Sequence, residues 1–126
     1  MSEQALYLVK LNYKTKGLGG ASMTLQLAVD PRSININGRA DGTFQQGTQH
    51  MPSFTASASG QIHGAGFGKI TKIGGVTGQA VVSFAPPAIG SYLAPFSADF
   101  AVDNKWNGTG NFSVGTETYQ CDVTSA

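Results

Sequence analysis

The sequence predicts an all-β fold, an antiparallel meander of about eight or nine strands closed as a barrel or folded as a two-sheet sandwich, on three observations. Apolar and polar residues alternate with a period of two through most of the chain, the mark of strands with one face on a core and the other in water. No window carries the 3.6-residue apolar period of a helix, and 17 glycines among 126 residues argue against a helix interior. The alternating runs are separated by short clusters of turn residues, so consecutive strands pair as hairpins, and closing or folding the sheet removes its aggregation-prone edges.

The first strand alternates Tyr7, Val9, Leu11 and Tyr13 against Leu8, Lys10, Asn12 and Lys14, and ends at the Lys16–Gly20 turn. The second sets Met23, Leu25, Leu27 and Val29 against Ser22, Thr24 and Gln26 until Asp30-Pro31 stops it. Ser33–Phe44 alternates for twelve residues, with Ile34, Ile36, Gly38, Ala40, Gly42 and Phe44 on one side, and Gln45–Met51 follows as a polar connection. A fourth strand turns Phe54, Ala56, Ala58, Gly60 and Ile62 inward. Five glycines between Gly64 and Gly75 suggest bends around a short fifth strand, Phe67–Ile73.

Val76, Ala80, Val82 and Phe84 make a sixth strand, stopped by Pro86-Pro87, which supply no N–H to a ladder. Pro86–Pro95 reads as the longest loop and carries Ile89, Tyr92 and Leu93. Phe96, Ala98, Phe100 and Val102 form a seventh strand, Asp103-Asn104-Lys105 a turn, Trp106–Val114 an eighth strand, and Tyr119, Cys121 and Val123 a ninth. The expected core includes Val9, Leu11, Leu25, Leu27, Ile34, Ile36, Phe54, Val82, Phe84, Phe100 and Phe112.

The length suits a single all-β domain over residues 1–126, which buries roughly two thirds of its unfolded surface without staples. Charged residues are 12% of the chain and the net charge is +1, so there is no basic stripe for nucleic acid. So little self-repulsion favours a homo-oligomer. The single cysteine, Cys121, forms no intrachain disulfide and reads as a small buried hydrophobe. Met1-Ser2-Glu3-Gln4 is polar and Lys10, Asn12 and Lys14 interrupt the apolar stretch after it, so neither a signal peptide nor a membrane span is expected. A cytoplasmic location is the default, with export by a route lacking an N-terminal signal left open.

Leu6 and Tyr7, the Gly17–Ala21 turn, the Leu25–Val29 strand, Asp30-Pro31, Ile36-Asn37-Gly38 and Gly42-Thr43-Phe44 together carry a resemblance. So does the Trp106–Phe112 hairpin near the other end. On these positions the chain resembles a family of short uncharacterised bacterial proteins, grouped as an all-β domain of unknown function. The likeness covers most of the chain with a weak middle. It implies a bacterial source and a single all-β domain, and it transfers no functional residue.

No motif names a reaction. His50 and His63 flank the fourth strand and, if it runs straight, lie on the order of 40 Å apart, too far to share a metal. Asp41, Asp99 and Asp103 fall on wet faces as solvated carboxylates. Ser57 and Ser59 lack a nucleophile elbow, and the glycines at 64–75 lack the helix and the Lys-Ser/Thr pair of a phosphate loop. The triplets starting at Asn107 and Asn111 match a glycosylation pattern but mean little without a secretory signal. No catalytic residue, metal site or cofactor is expected.

Two groups point to binding. Trp106 with Asn104 and Asn107 is an aromatic-plus-amide set suited to stacking on a sugar ring, and equally a core plug. Tyr92, with Ile89 and Leu93, offers apolar groups on a connection, as a lid or a contact surface. The expected function is a non-enzymatic binding or interaction module for a partner protein or a small ligand such as a sugar. The alternatives are a barrel-type enzyme with an internal cavity and a structural assembly subunit. If Tyr92 and Trp106 are not the site, the outer face of Asn35, Asn37, Thr55 and Ser57 is the next candidate.

Overall fold

The computed structural model describes residues 7–15, 20–30, 33–43, 53–68, 70–83 and 90–126. Their alternating runs form eight strands: β1 (Tyr7–Thr15), β2 (Ser22–Val29), β3 (Asn35–Thr43), β4 (Ser53–Phe67), β5 (Ile70–Ser83), β6 (Ser91–Val102), β7 (Gly108–Val114) and β8 (Glu117–Ser125). Each pairs antiparallel with the next and β8 pairs back on β1, so the sheet is a closed up-and-down barrel. Followed round the wall, the pairing that starts at Gly64 passes through Lys72, Val102, Gly108, Val123, Tyr13, Met23 and Gly42 and returns to β4 at Phe54, ten residues away. Such a stagger tilts eight strands by roughly 40° and leaves a bore about wide enough for side chains to fill.

The bore is filled. Leu11, Leu25, Leu27, Ile36, Val76 and Val102 supply its aliphatic part, with no buried polar or charged residue among those described. Phe54 sits 5.9 Å from both Phe96 and Phe112, and Phe112 meets the edge of Tyr13 at 6.2 Å and stacks at 5.1 Å on Tyr119. Most apolar side chains therefore point in, while most hydroxyls, amides and charges point out. That is the inverse of the alternation carried by a lipid-facing barrel. Glycine fits where paired strands crowd one another: a Cβ on Gly60 would lie 1.8 Å from the Gly75 carbonyl oxygen on the neighbouring strand.

Four expectations are corrected. The Gly64–Gly75 stretch contains no separate strand. The expected fifth and sixth strands are β5 together with the end of β4, and the ladder runs on through Gly60 to Gly64 with one irregularity between Gly64 and Phe67. The glycines there allow close pairing as well as bending. Tyr92 and Leu93 lie on β6, opposite Val82 and Val81, rather than on a loop. Pro95 does not mark the end of a loop: its carbonyl accepts the Gly115 N–H, and its missing N–H faces a ladder that stops at Val114.

The third correction is Ile34, 43% exposed instead of buried. Ser33 donates to the Asp30 carbonyl in a turn, and Ile34 follows with φ 57°, which takes it out of step with Ile36. Asn35–Thr43 keeps the expected register. The fourth is Trp106, which precedes β7 with φ 67° in place of starting it. Val9 is partly buried against the core. Phe44, His50, Phe84 and Ile89 lie outside the described residues.

Candidate functional site

With the bore occupied, the concave surfaces lie on the outer wall. One is a furrow of about 720 Å³ across β3, β4 and β5. Asn35 and Asn37 on β3 and Ser59, Gln61 and His63 on β4 form its polar bank. Strand alternation points all five outward, and pairing sets Asn35 beside Gln61 and Asn37 beside Ser59. On β5, Gly75 stands opposite Gln61 and Ile73 opposite His63, so the bank drops to an apolar floor.

Across Gly75 the register continues to Asp99, Asn111 and Gln120 on β6, β7 and β8. These three line a further hollow, of about 650 Å³, which shares Ile73 with the first. The Asp99 carboxylate accepts the backbone N–H of Asn111 at 3.0 Å and its side-chain amide at 3.4 Å. From inside the bore the Tyr13 hydroxyl donates to the Asp99 carbonyl at 2.8 Å. Gly110 leaves the slot for this contact, since a Cβ there would lie 2.2 Å from that carbonyl oxygen and 3.0 Å from the Tyr13 ring. Burial, with Asp99 and Cys121 nearby, raises the Tyr13 pKa far above its ordinary value and keeps the phenol a donor.

The chemistry of this surface is hydrogen bonding, by neutral amides and hydroxyls over β3 and β4 and by the Asp99 carboxylate beyond Gly75. Among the described residues, neither hollow is lined by a lysine or arginine. Burial, then Asp122, pushes the Cys121 thiol up to about 11, so it is no nucleophile at neutral pH. No cluster of three His, Cys, Asp or Glu residues suited to a metal occurs among the described residues.

The two groups singled out from sequence lie apart. Tyr92 and Trp106 belong to opposite ends of β6, whose twelve residues span on the order of 35 to 40 Å. Tyr92 pairs with the buried Val82 and shares the inward parity of Ala94 and Phe96 at the mouth of the barrel, whereas its neighbour Leu93 and the paired Val81 point outward. Trp106 is half-buried, its ring 6.0 Å from Phe100 and capped by the Lys72 ammonium at 4.8 Å. Asn104 is exposed, while the Asn107 side-chain oxygen accepts the Ser125 N–H at 3.0 Å. Asp103 closes this turn by accepting the N–H groups of Lys105 and Asn107. Those two bonds, Asn107's the larger influence, hold its carboxyl below the usual carboxylate range.

Of the outer face considered as an alternative, Asn35 and Asn37 lie in the furrow, whereas Thr55 and Ser57 pair with Asp41 and Arg39 outside it. Sequence reasoning misses Gln61, Ser59 and Ile73 as a group because only the β3–β4 register sets Gln61 and Ser59 beside Asn35 and Asn37, and only the β4–β5 register adds Ile73. Their outward parity on each strand is the one signal that could have found them.

Among the described residues no helix is long and apolar enough to cross a membrane. No curated protein and no solved structure matches the chain. Residues 4–119 match the family described as Domain of unknown function (DUF1842). That match spans nearly the whole barrel, from β1 into β8, and the chain belongs to this family.

Proposed function

We propose that the chain is a single-domain, non-enzymatic binding module that works through its outer wall and not through its bore. The observation that carries this reading is the contrast between an apolar, filled interior and a polar furrow over β3–β5. An enzyme with an internal cavity needs a cluster of polar groups inside the barrel, and the described core offers only the Tyr13 hydroxyl, bonded to the Asp99 carbonyl, and the Cys121 thiol. The test is a titration of labelled protein with a small-molecule extract of cells, followed by NMR. Signals of Asn35, Gln61 and His63 are expected to move while those of Phe54, Phe96 and Phe112 stay. The reverse pattern overturns the reading.

A second reading, an assembly subunit, is favoured by a different surface. Leu93, 62% exposed, points outward beside Val81 at the far end of β6, and Tyr92, 48% exposed, adjoins it at the rim of the barrel mouth. Apolar groups at such a contact anchor association, and truncating one typically costs more than about 1 kcal/mol of binding. Tyr92→Ala is therefore expected to lower the oligomer fraction in native mass spectrometry while leaving the melting temperature nearly unchanged. A monomer at micromolar concentration removes this reading.

A further inference from the structure

Gly75 has no structural reason to be glycine. Its neighbours in the wall do: a Cβ on Gly60, Gly74 or Gly78 would come within 1.8, 2.5 or 1.8 Å of another atom. A Cβ on Gly75 would meet nothing closer than the Ala98 carbonyl oxygen at 3.6 Å, an ordinary contact, and its φ is not positive. Glycine inside a strand weakens it and marks places where another group approaches the backbone closely. Here the open position faces outward, between Gln61 on one side and Asp99 on the other.

Resting on the outer-wall reading above, we propose that Gly75 is the floor of a seat for a neutral polyhydroxylated ring, a saccharide, held between the amides of Asn35, Asn37 and Gln61 and the carboxylate of Asp99. Amide side chains donate and accept at once, which is what hydroxyl groups require of a partner, and a carboxylate accepts from them. Asp99 and Asp122 on the far bank, with no lysine or arginine lining either hollow among the described residues, disfavour an anionic ligand. Ile73 and the bare Gly75 backbone present an apolar strip on which the C–H face of a sugar ring can lie. A side chain at position 75 would occupy that strip.

The experiment titrates labelled protein with the methyl glycosides of glucose, galactose, mannose and N-acetylglucosamine, with methyl glucuronoside as the anionic control. At least one neutral glycoside is expected to move the side-chain amide signals of Asn35, Asn37 and Gln61 at millimolar concentration, with the glucuronoside binding about tenfold more weakly. Gly75→Val is expected to weaken the neutral glycoside by about tenfold or more at an unchanged or higher melting temperature. Equal affinity in Gly75→Val, or a glucuronoside that binds as well as the neutral sugars, overturns the seat. If no neutral glycoside moves these amides but the cell extract does, the ligand class is wrong and the outer-wall reading stands. If neither moves them, both fall.

Discussion

Gly74 and Gly75 are adjacent on β5 and face opposite ways. Gly74 faces the bore, where a Cβ would sit 2.5 Å from the Phe100 ring, and Gly75 faces out over a furrow with nothing nearer than 3.6 Å. Inside the barrel, residue size is dictated by what already fills the space, because protein interiors are packed to the density of organic crystals. Outside, no neighbour dictates it. The same residue type thus has a packing reason on one face and none on the other, and the outward case is the informative one.

The sharpest way to break this contrast is to remove the centre of the packed side. Phe112 is fully buried between Tyr13, Phe54 and Tyr119, and Phe112→Ala is expected to cost about 3–5 kcal/mol in denaturant unfolding, through lost transfer energy and the cavity left behind. A loss below about 1 kcal/mol would mean that the bore is not packed as described. Next comes the adjacent pair itself. Gly74→Ala is expected to destabilise by about 1–3 kcal/mol through overpacking against Phe100. Gly75→Ala is expected to be neutral or to stabilise by about 0.5–1 kcal/mol, as alanine replaces glycine in a regular strand. Equal losses at both positions would erase the distinction between the faces.

Two substitutions of smaller effect probe the boundary between inside and outside. Tyr13→Phe removes the hydroxyl that reaches from the bore to the Asp99 carbonyl, at a cost of about 1 kcal/mol. The Asn111 amide signals should shift with it if Tyr13 steadies that bank. Ile34→Asn works the other way: a β-branched residue at φ 57° is strained, and asparagine accepts the left-handed region, so a gain of about 1 kcal/mol is expected in thermal or urea unfolding.

The smallest effect is electrostatic and belongs to the exposed turn. The folded-state pKa of Asp103 lies below its reference value of 3.8, so its contribution is present above that value and is lost as pH falls through the lowered one. Asp103→Asn cannot ionise. The melting-temperature gap between wild type and variant should therefore narrow as pH falls below 3.8 and through the lowered value. A gap independent of pH would show that the charge plays no part in closing the turn.

The parity of most strands was legible because alternation against a core is a local signal. Leu25 and Leu27, then Phe54, Ala56 and Ala58, and Phe96, Ala98, Phe100 and Val102 all turn inward as the pattern requires. Errors fell where a local rule met a non-local constraint. Pro95 reads as a terminator, but it stands at the last rung of β6 and β7, where no N–H is needed. Ile34 continues the alternation in letters and leaves it in backbone, because the turn from Asp30 imposes a left-handed residue. Glycines at 60, 74 and 75 look alike in sequence, and only their surroundings separate close packing from open space.

Residue type and a two-residue period were enough to set the antiparallel all-β class and the inward and outward faces of most strands. Three things waited for the folded barrel: the closure of eight strands with a stagger of ten residues, the filling of the bore, and the meeting of Asn35, Gln61, Gly75 and Asp99 in one row. That row joins one residue from each of four strands, far apart along the chain. Cross-strand register places it, and register depends on how the whole barrel closes.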